Sequence, residues 1–117
     1  MSPNVLIYAD DDPLVRATLA MALESRGLCV HQCENGLEAV DLCRRIHPEV
    51  VLLDINMPVL DGLAAARRIR ADPGIAGTRL IAISGGGDHF AEGGEFDAVL
   101  CKPVTLAHLL EVVLGTS

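Results

Sequence analysis

Val50-Val51-Leu52-Leu53-Asp54 is an apolar run that ends in a carboxylate, and an earlier run, Val5-Leu6-Ile7-Tyr8-Ala9, ends in Asp10-Asp11-Asp12. Short apolar runs rich in β-branched residues are typical of strands buried on both faces, and strands that alternate with helical segments predict a parallel sheet. Sites in such sheets form at the carboxyl ends of the strands. Two neighbouring strands would therefore bring several carboxylates together. Like-charge repulsion forbids this unless a proton stays on or a hard cation, Mg²⁺ or Mn²⁺, neutralises them.

Length and composition predict one domain over residues 1–117, because 117 residues with 50% hydrophobic content can bury one core but not two. The net charge of -7 disfavours direct binding to nucleic acid or to an anionic membrane surface. No apolar run approaches the length of a membrane span, and the start of the chain lacks the features of a signal peptide. We therefore expect a cytoplasmic protein.

The chain alternates strand and helix signals. We predict strands at 4–9, 28–33, 49–53, 79–83 and 96–101, and helices at 13–26, 36–46, 62–71 and 105–114. The first helix is expected to turn Leu14, Thr18, Met21 and Ala22 towards the core. Five of the eleven glycines fall between 85 and 94, so a fourth helix near 88–93 should be short or irregular.

Three residues have the chemistry of helix N-caps. Asp12 precedes Pro13 and is a better candidate for a cap than for a metal ligand, and Asp61 stands before the third helix. Asn35 begins the second helix, with Glu38 three residues later as in a capping box. The four cysteines, at 29, 33, 43 and 101, lack zinc-like spacing, and we interpret them as small buried hydrophobes in a reducing compartment.

Polar residues follow four of the five predicted strands. They are Asp10-Asp11 after the first strand, Asp54 after the third, Ser84 after the fourth and Lys102-Pro103 after the fifth. A single aspartate after a strand is often only a helix cap. Four such features in order, each at a strand's carboxyl end, predict one composite site at that edge of the sheet.

Four stretches that contain these polar residues closely resemble the receiver domain (CheY-like) of bacterial two-component response regulators. The resemblance extends over essentially the whole chain. The resemblance implies an α/β, flavodoxin-like (βα)₅ three-layer sandwich whose parallel five-stranded sheet has the order 2-1-3-4-5. The motif from Leu52 to Gly62 is the most specific. The four stretches are Val5-Leu6-Ile7-Tyr8-Ala9-Asp10-Asp11-Asp12-Pro13-Leu14-Val15-Arg16, Leu52-Leu53-Asp54-Ile55-Asn56-Met57-Pro58-Val59-Leu60-Asp61-Gly62, Ile81-Ala82-Ile83-Ser84-Gly85 and Leu100-Cys101-Lys102-Pro103.

The resemblance also implies roles for single residues. Asp54 would be the phosphoacceptor and form an aspartyl phosphate. The ammonium group of Lys102 and the hydroxyl of Ser84 would contact the phosphoryl oxygens. The peptide bond between Lys102 and Pro103 would be cis. The residues implied as ligands of Mg²⁺, with Mn²⁺ as an alternative ion, are Asp10, Asp11, Asp54 and, through its backbone carbonyl, Asn56.

The implied function is phosphorelay signal transduction by a single-domain response regulator. The phosphoryl donor would be a histidine kinase or a histidine phosphotransfer protein, and the output would be contact with an unknown downstream protein. Such a domain assists its own phosphorylation and dephosphorylation but is not a dedicated enzyme. Two departures from the family's pattern lie on the surface that would pass the signal to the downstream protein. Val99 stands where the family carries an aromatic residue, and the segment between Ser84 and Lys102 is shorter than the family's.

Three other readings stay open on the sequence alone. A receiver-like scaffold could bind partners without phosphorylation, which Val99 allows and the acidic cluster argues against. A Mg²⁺-dependent phosphatase would commonly carry a second acid two residues after its nucleophile, where this chain has Asn56. A flavodoxin would bind its flavin phosphate after the first strand, where Asp10, Asp11 and Asp12 would repel it.

Overall fold

The computed structural model describes residues 4–85 and 94–114. Its five strands are β1 (Val5–Ala9), β2 (Cys29–Cys33), β3 (Val50–Asp54), β4 (Arg79–Ser84) and β5 (Ala98–Cys101). Its four helices are α1 (Pro13–Glu24), α2 (Gly36–Ile46), α3 (Gly62–Ala71) and α4 (Leu106–Leu114). The irregular fourth helix predicted near 88–93 lies outside the described residues, so α4 corresponds to the last helix of the sequence prediction. No described helix has the length and apolar content needed to cross a membrane.

All strand pairs are parallel, and the order is β2-β1-β3-β4-β5, as predicted. Strand order reverses between β1 and β3, because the chain builds β2 on one side of β1 and the later strands on the other. In open α/β sheets a crevice forms at this point, outside the carboxyl ends of the strands. Asp10 and Asp54 stand at the two sides of that crevice.

The sheet separates two apolar cores, because alternate residues of a strand point to opposite faces. One core contains Ile7, Ala9, Val51 and Leu53 and packs against α2 and α3. The other core contains buried residues of α1 and α4 as well as the opposite faces of the strands. Every residue of β3 is buried, which is the pattern expected of a central parallel strand.

The orientation predicted for α1 is wrong. Leu14 is 75% exposed and Met21 is 70% exposed, whereas Ala20 and Leu23 are buried against the sheet. The helix carries apolar residues on more than one side, so hydrophobic periodicity alone does not decide which stripe faces inward.

The predicted N-caps are confirmed. A carboxylate oxygen of Asp12 accepts hydrogen bonds from the amides of Leu14 and Val15, and Asp61 accepts one from Ala64. Asn35 accepts a hydrogen bond from the amide of Glu38, whose own carboxylate accepts one from Glu34 rather than from Asn35.

Strand β5 begins at Ala98, two residues later than predicted. The carboxylate of Asp97 accepts the hydrogen bond of the Leu80 amide at 2.9 Å, so a side chain and not a backbone carbonyl takes this donor of β4. Arg70 of α3 fixes the approach to β5 by donating to the carbonyl of Glu95 and to Asp97.

The burial predicted for the cysteines is found for two of the four. Cys33 and Cys43 are buried, whereas Cys29 and Cys101 are exposed, and all four are free thiols. Cys29 begins β2, an edge strand that is covered less completely than the central strands, and Cys101 ends β5 at the other edge of the sheet.

Candidate functional site

Five of the residues predicted from the sequence meet at the carboxyl edge of the sheet. Asp10 and Asp11 follow β1, Asp54 and Ser84 are the last residues of β3 and β4, and Lys102 follows β5 directly. One carboxylate oxygen from each of Asp10, Asp11 and Asp54 can be chosen so that all three lie within 4.8 Å of one another.

Asp54 is held at both oxygens of its carboxylate. Oδ1 accepts a hydrogen bond from the backbone amide of Asn56 at 2.9 Å, and Oδ2 accepts one from Nζ of Lys102 at 2.7 Å. The Asp54 side chain is 2% exposed, whereas that of Lys102 is 42% exposed. The carboxylate is therefore enclosed, while the lysine that neutralises it can still reach solvent.

The electrostatics of this pair favour a charged lysine. Burial raises the pKa of Asp54, as does the nearby Asp10 carboxylate, and the hydrogen bonds from Lys102 and from the Asn56 amide oppose that rise. The hydrogen bond to Asp54 raises the pKa of Lys102, and the charges of Asp10 and Asp11 raise it further. Lys102 thus supplies a positive charge beside Asp54, whose pKa stays raised despite its two hydrogen bonds.

Asp10 is even more enclosed, with 1% of its surface exposed. Its Oδ2 accepts a hydrogen bond from the phenol of Tyr8 and its Oδ1 accepts one from the amide of Asp12, both at 2.9 Å. Its backbone carbonyl accepts a hydrogen bond from Nη1 of Arg16 at 2.6 Å. Both the side chain and the main chain of Asp10 are consequently fixed.

The carboxylates of Asp10, Asp11 and Asp54 fit a hard divalent cation. Mg²⁺ prefers oxygen ligands and keeps several waters, so two or three protein ligands suffice. Asp11, unlike the other two, is exposed and can meet an ion from the solvent side. The donor set consists of oxygens alone, which suits Mg²⁺ or Mn²⁺ better than a soft metal.

Ser84 is 4% exposed and lies one residue beyond Ile83, the partner of Asp54 in the sheet. The backbone carbonyl of Ser84 accepts a hydrogen bond from the amide of Lys102 at 2.8 Å, which joins the ends of β4 and β5. The peptide bond between Lys102 and Pro103 is cis, as the resemblance implied.

Gly62 places the start of α3 directly against the backbone of Asp54. Its amide donates to the carbonyl of Ile55 at 3.0 Å. A Cβ atom at position 62 would collide with the carbonyl oxygen of Asp54, so only glycine allows this approach. The turn after β3 is therefore specified by close packing behind the candidate site.

An open groove of about 750 Å³ adjoins the site between α1 and the segment that follows β5. Asp10 and Lys102 form part of its wall, and the exposed Leu14 lies at its side. The lining residues are Tyr8, Asp10, Asp12, Leu14, Val15, Thr18, Leu19, Ile83, Lys102, Pro103 and Val104.

Two residues of the site escaped the sequence prediction. Tyr8 was interpreted only as part of a strand, although its spacing of two from Asp10 places both side chains on one face of an extended chain. Arg16 was named only as the last residue of the first stretch that resembles the family. Its Nη1 donates to the Asp10 carbonyl, and its Nε donates to Oε1 of Gln32 at 3.2 Å.

Comparison with protein families identifies a match to the response regulator receiver domain over residues 5–114. Transcriptional regulatory protein PrrA of Mycobacterium leprae (strain TN) is 39% identical over 112 residues, which cover 93% of this chain and 47% of PrrA. Response regulator MprA of Mycobacterium sp. (strain KMS) is 39% identical over 69 residues, covering 59% of this chain and 30% of MprA. The chain thus spans about half or less of these curated relatives.

Among solved structures, the receiver domain of the sensor histidine kinase PA1611 from Pseudomonas aeruginosa PAO1 is 25% identical to this chain. The superposition has a TM-score of 0.90 and covers 97% of each chain. That domain has a magnesium ion coordinated in its active site cleft. The strands and helices that the structure describes therefore have the fold of a receiver domain.

Proposed function

The chain belongs to the response regulator receiver domain family, and we propose that it accepts a phosphoryl group on Asp54 in a reaction that requires Mg²⁺. The observation that carries this proposal is the setting of Asp54 itself. Its carboxylate is buried at the carboxyl edge of the sheet, 2.7 Å from Nζ of Lys102 and beside the carboxylates of Asp10 and Asp11.

In the proposed reaction, a carboxylate oxygen of Asp54 forms a bond to phosphorus while the bond from phosphorus to the donor's imidazole nitrogen breaks. The electron pair of that bond stays on the leaving imidazole. Phosphoryl transfer needs little covalent chemistry from a protein, so positioning and charge neutralisation are the main tasks. Lys102 can release Asp54 and follow the negative charge to a phosphoryl oxygen, because its side chain is 42% exposed.

The ligands we propose for the metal are Asp10, acting directly or through water, the carboxylates of Asp11 and Asp54, and the backbone carbonyl of Asn56. A bound Mg²⁺ would neutralise the carboxylates and the charge on the transferred phosphoryl oxygens. Ser84 is proposed to contact the phosphoryl group once it is in place. Mn²⁺, which also prefers oxygen ligands, is proposed as an alternative ion.

The proposed donor is a histidine kinase or a histidine phosphotransfer protein. Support comes from the match to the receiver domain of a sensor histidine kinase and from the groove that opens beside Asp10 and Lys102. The proposed output is contact with a downstream protein, in the cytoplasm, without direct binding to nucleic acid or membrane. On this view the domain is a phosphoacceptor that assists its own turnover and not a dedicated enzyme.

The test is phosphorylation by a small phosphodonor such as acetyl phosphate, followed by intact-mass analysis. We expect the wild type to gain the mass of one phosphoryl group when Mg²⁺ is present and not when it is chelated. Peptide mapping after borohydride reduction should place the modification at Asp54. A modification that maps elsewhere, or that forms equally well without a divalent ion, would contradict the proposal.

A further inference from the structure

The phenol of Tyr8 is a buried polar group that the proposed reaction does not use. Tyr8 is 0% exposed, and its hydroxyl donates a hydrogen bond to Oδ2 of Asp10 at 2.9 Å. Buried tyrosine hydroxyls need such a partner, because an unpaired polar group inside a protein is costly. A phenylalanine could fill the same space in the core without this bond, so the hydroxyl has consequences beyond packing.

The hydroxyl completes the restraint of Asp10. Without it, Oδ1 would still be held by the amide of Asp12, but Oδ2 would be left buried without this donor. A carboxylate that is held at one oxygen rotates about its Cβ–Cγ bond more freely than a carboxylate that is held at both. The rotation matters here because an oxygen of Asp10 lies within 4.8 Å of ligand atoms of Asp11 and Asp54.

We propose that Tyr8 is a positioning residue for Mg²⁺, which holds the carboxylate of Asp10 in place relative to Asp11 and Asp54. The inference rests on the proposed function, since it concerns the same metal. Partners that hydrogen-bond to metal ligands fix their orientation, and their loss typically weakens metal affinity by about 10- to 100-fold.

The first test is a Mg²⁺ titration of the wild type and of Tyr8→Phe, in which the amide NMR signals of Asp11 and Asp54 report binding. We expect the variant to fold and to bind Mg²⁺ about tenfold more weakly. The matched control is Leu6→Val, which alters the same face of β1 two residues further from Asp10 and should leave the affinity unchanged. Wild-type affinity in Tyr8→Phe, or an equal loss in Leu6→Val, would overturn the role of Tyr8.

A second measurement needs no variant. The chain has one tyrosine and no tryptophan, so fluorescence excited in the tyrosine absorption band comes from Tyr8 alone. Because the phenol bonds to a proposed metal ligand, Mg²⁺ should change this emission with the same midpoint as the amide signals. Emission that stays constant while the amides shift would overturn the inference and leave the proposed function standing. A wild type that binds no Mg²⁺ by either signal would overturn both.

Discussion

Asp10 and Asp54 are two carboxylates at the ends of neighbouring strands, with almost equal burial and very different partners. Asp10 is 1% exposed and Asp54 is 2% exposed. Neutral donors hold Asp10, namely the phenol of Tyr8 and the amide of Asp12. A cation on a long side chain, Lys102, holds one oxygen of Asp54.

On the proposed function, this difference gives Asp10 a supporting role and Asp54 the reactive one. The donors to Asp10 belong to a buried ring and to the main chain, so they cannot leave without disturbing the fold. The donor to Oδ2 of Asp54 is the ammonium group of a long side chain that is 42% exposed, and we propose that it moves to the phosphoryl group. Equal burial therefore does not imply an equal role, because the exposure and the charge of the hydrogen-bond partner distinguish the two carboxylates.

The largest effect should come from removing the proposed phosphoacceptor. Asp54→Asn should abolish modification by acetyl phosphate, because an amide is not a nucleophile for this reaction. Asp10→Asn should retain modification at a reduced rate, because Asp10 supports the site without reacting. Intact-mass kinetics measure both. Phosphorylation of Asp54→Asn at the wild-type rate would remove the distinction.

The next effect concerns the mobile partner of Asp54. Lys102→Met keeps much of the side chain's length but removes the positive charge, and it should slow phosphorylation by about 100-fold or more, as loss of one group that stabilises transition-state charge does. The Mg²⁺ affinity of this variant should not fall, since the lysine competes with the metal for Asp54. Unchanged phosphorylation kinetics would show that Lys102 is only a structural counterion.

Mg²⁺ itself should stabilise the folded chain. At a free concentration 100 times its dissociation constant, an ion that binds only the folded state raises the free energy of unfolding by about 2.7 kcal/mol. Urea unfolding with and without Mg²⁺ measures this gain. Asp11→Asn should lose most of it, because a neutral amide replaces the exposed carboxylate of the three-carboxylate cluster and attracts the cation less strongly. A gain that persists in this variant would place the ion elsewhere.

The pH dependence of stability should differ between the wild type and Asp54→Asn without metal. Burial raises the folded-state pKa of Asp54 above its ordinary value of 3.8. The folded state then holds the proton more tightly than the unfolded state, so the wild type loses stability as pH rises from 3.8 through the folded value. The variant lacks this proton. Its advantage in urea midpoint should therefore grow from acid to neutral pH, and a constant difference would contradict the account.

The smallest effect should be found at Asp72, a carboxylate that is partly exposed. Asp72 accepts a hydrogen bond from Arg44 at 2.8 Å, and this bond lowers the pKa of Asp72. The stability that this bond contributes is fully present above pH 3.8, the ordinary pKa of an aspartate. It is lost as the pH falls through the lower pKa that Asp72 has in the folded state. Because the pair faces solvent, Asp72→Asn should change the urea midpoint little at neutral pH. A change as large as that of Asp54→Asn would show that burial does not explain the contrast.

Much of the fold and the site was predictable from sequence because strand ends are marked by residue type. Apolar runs that stop at Asp10, Asp54, Ser84 and Lys102 located the strands and the edge where the site forms. The strand order depended on the resemblance to receiver domains. Periodicity alone does not fix which strands are neighbours.

The features that the sequence did not predict depend on choices between near-equal alternatives. Helix α1 has apolar residues on two sides, so the exposure of Leu14 and Met21 follows from how the helix is anchored. The contacts of Tyr8 and Arg16 with Asp10 require particular rotamers, which spacing does not specify. The late start of β5 depends on the side chain of Asp97 replacing a backbone acceptor.

The measurement that tests the central claim most directly is an amide NMR comparison of the wild type and Asp54→Asn, first with Mg²⁺ and then with beryllofluoride. Beryllofluoride stands in for a bound phosphoryl group. If Asp54 is the phosphoacceptor, beryllofluoride should shift wild-type signals at Asp54, Ser84 and Lys102 and leave the variant unchanged. If the Mg²⁺-loaded wild type does not respond to beryllofluoride, the phosphoacceptor assignment is wrong, and a scaffold that acts without phosphorylation becomes the better account.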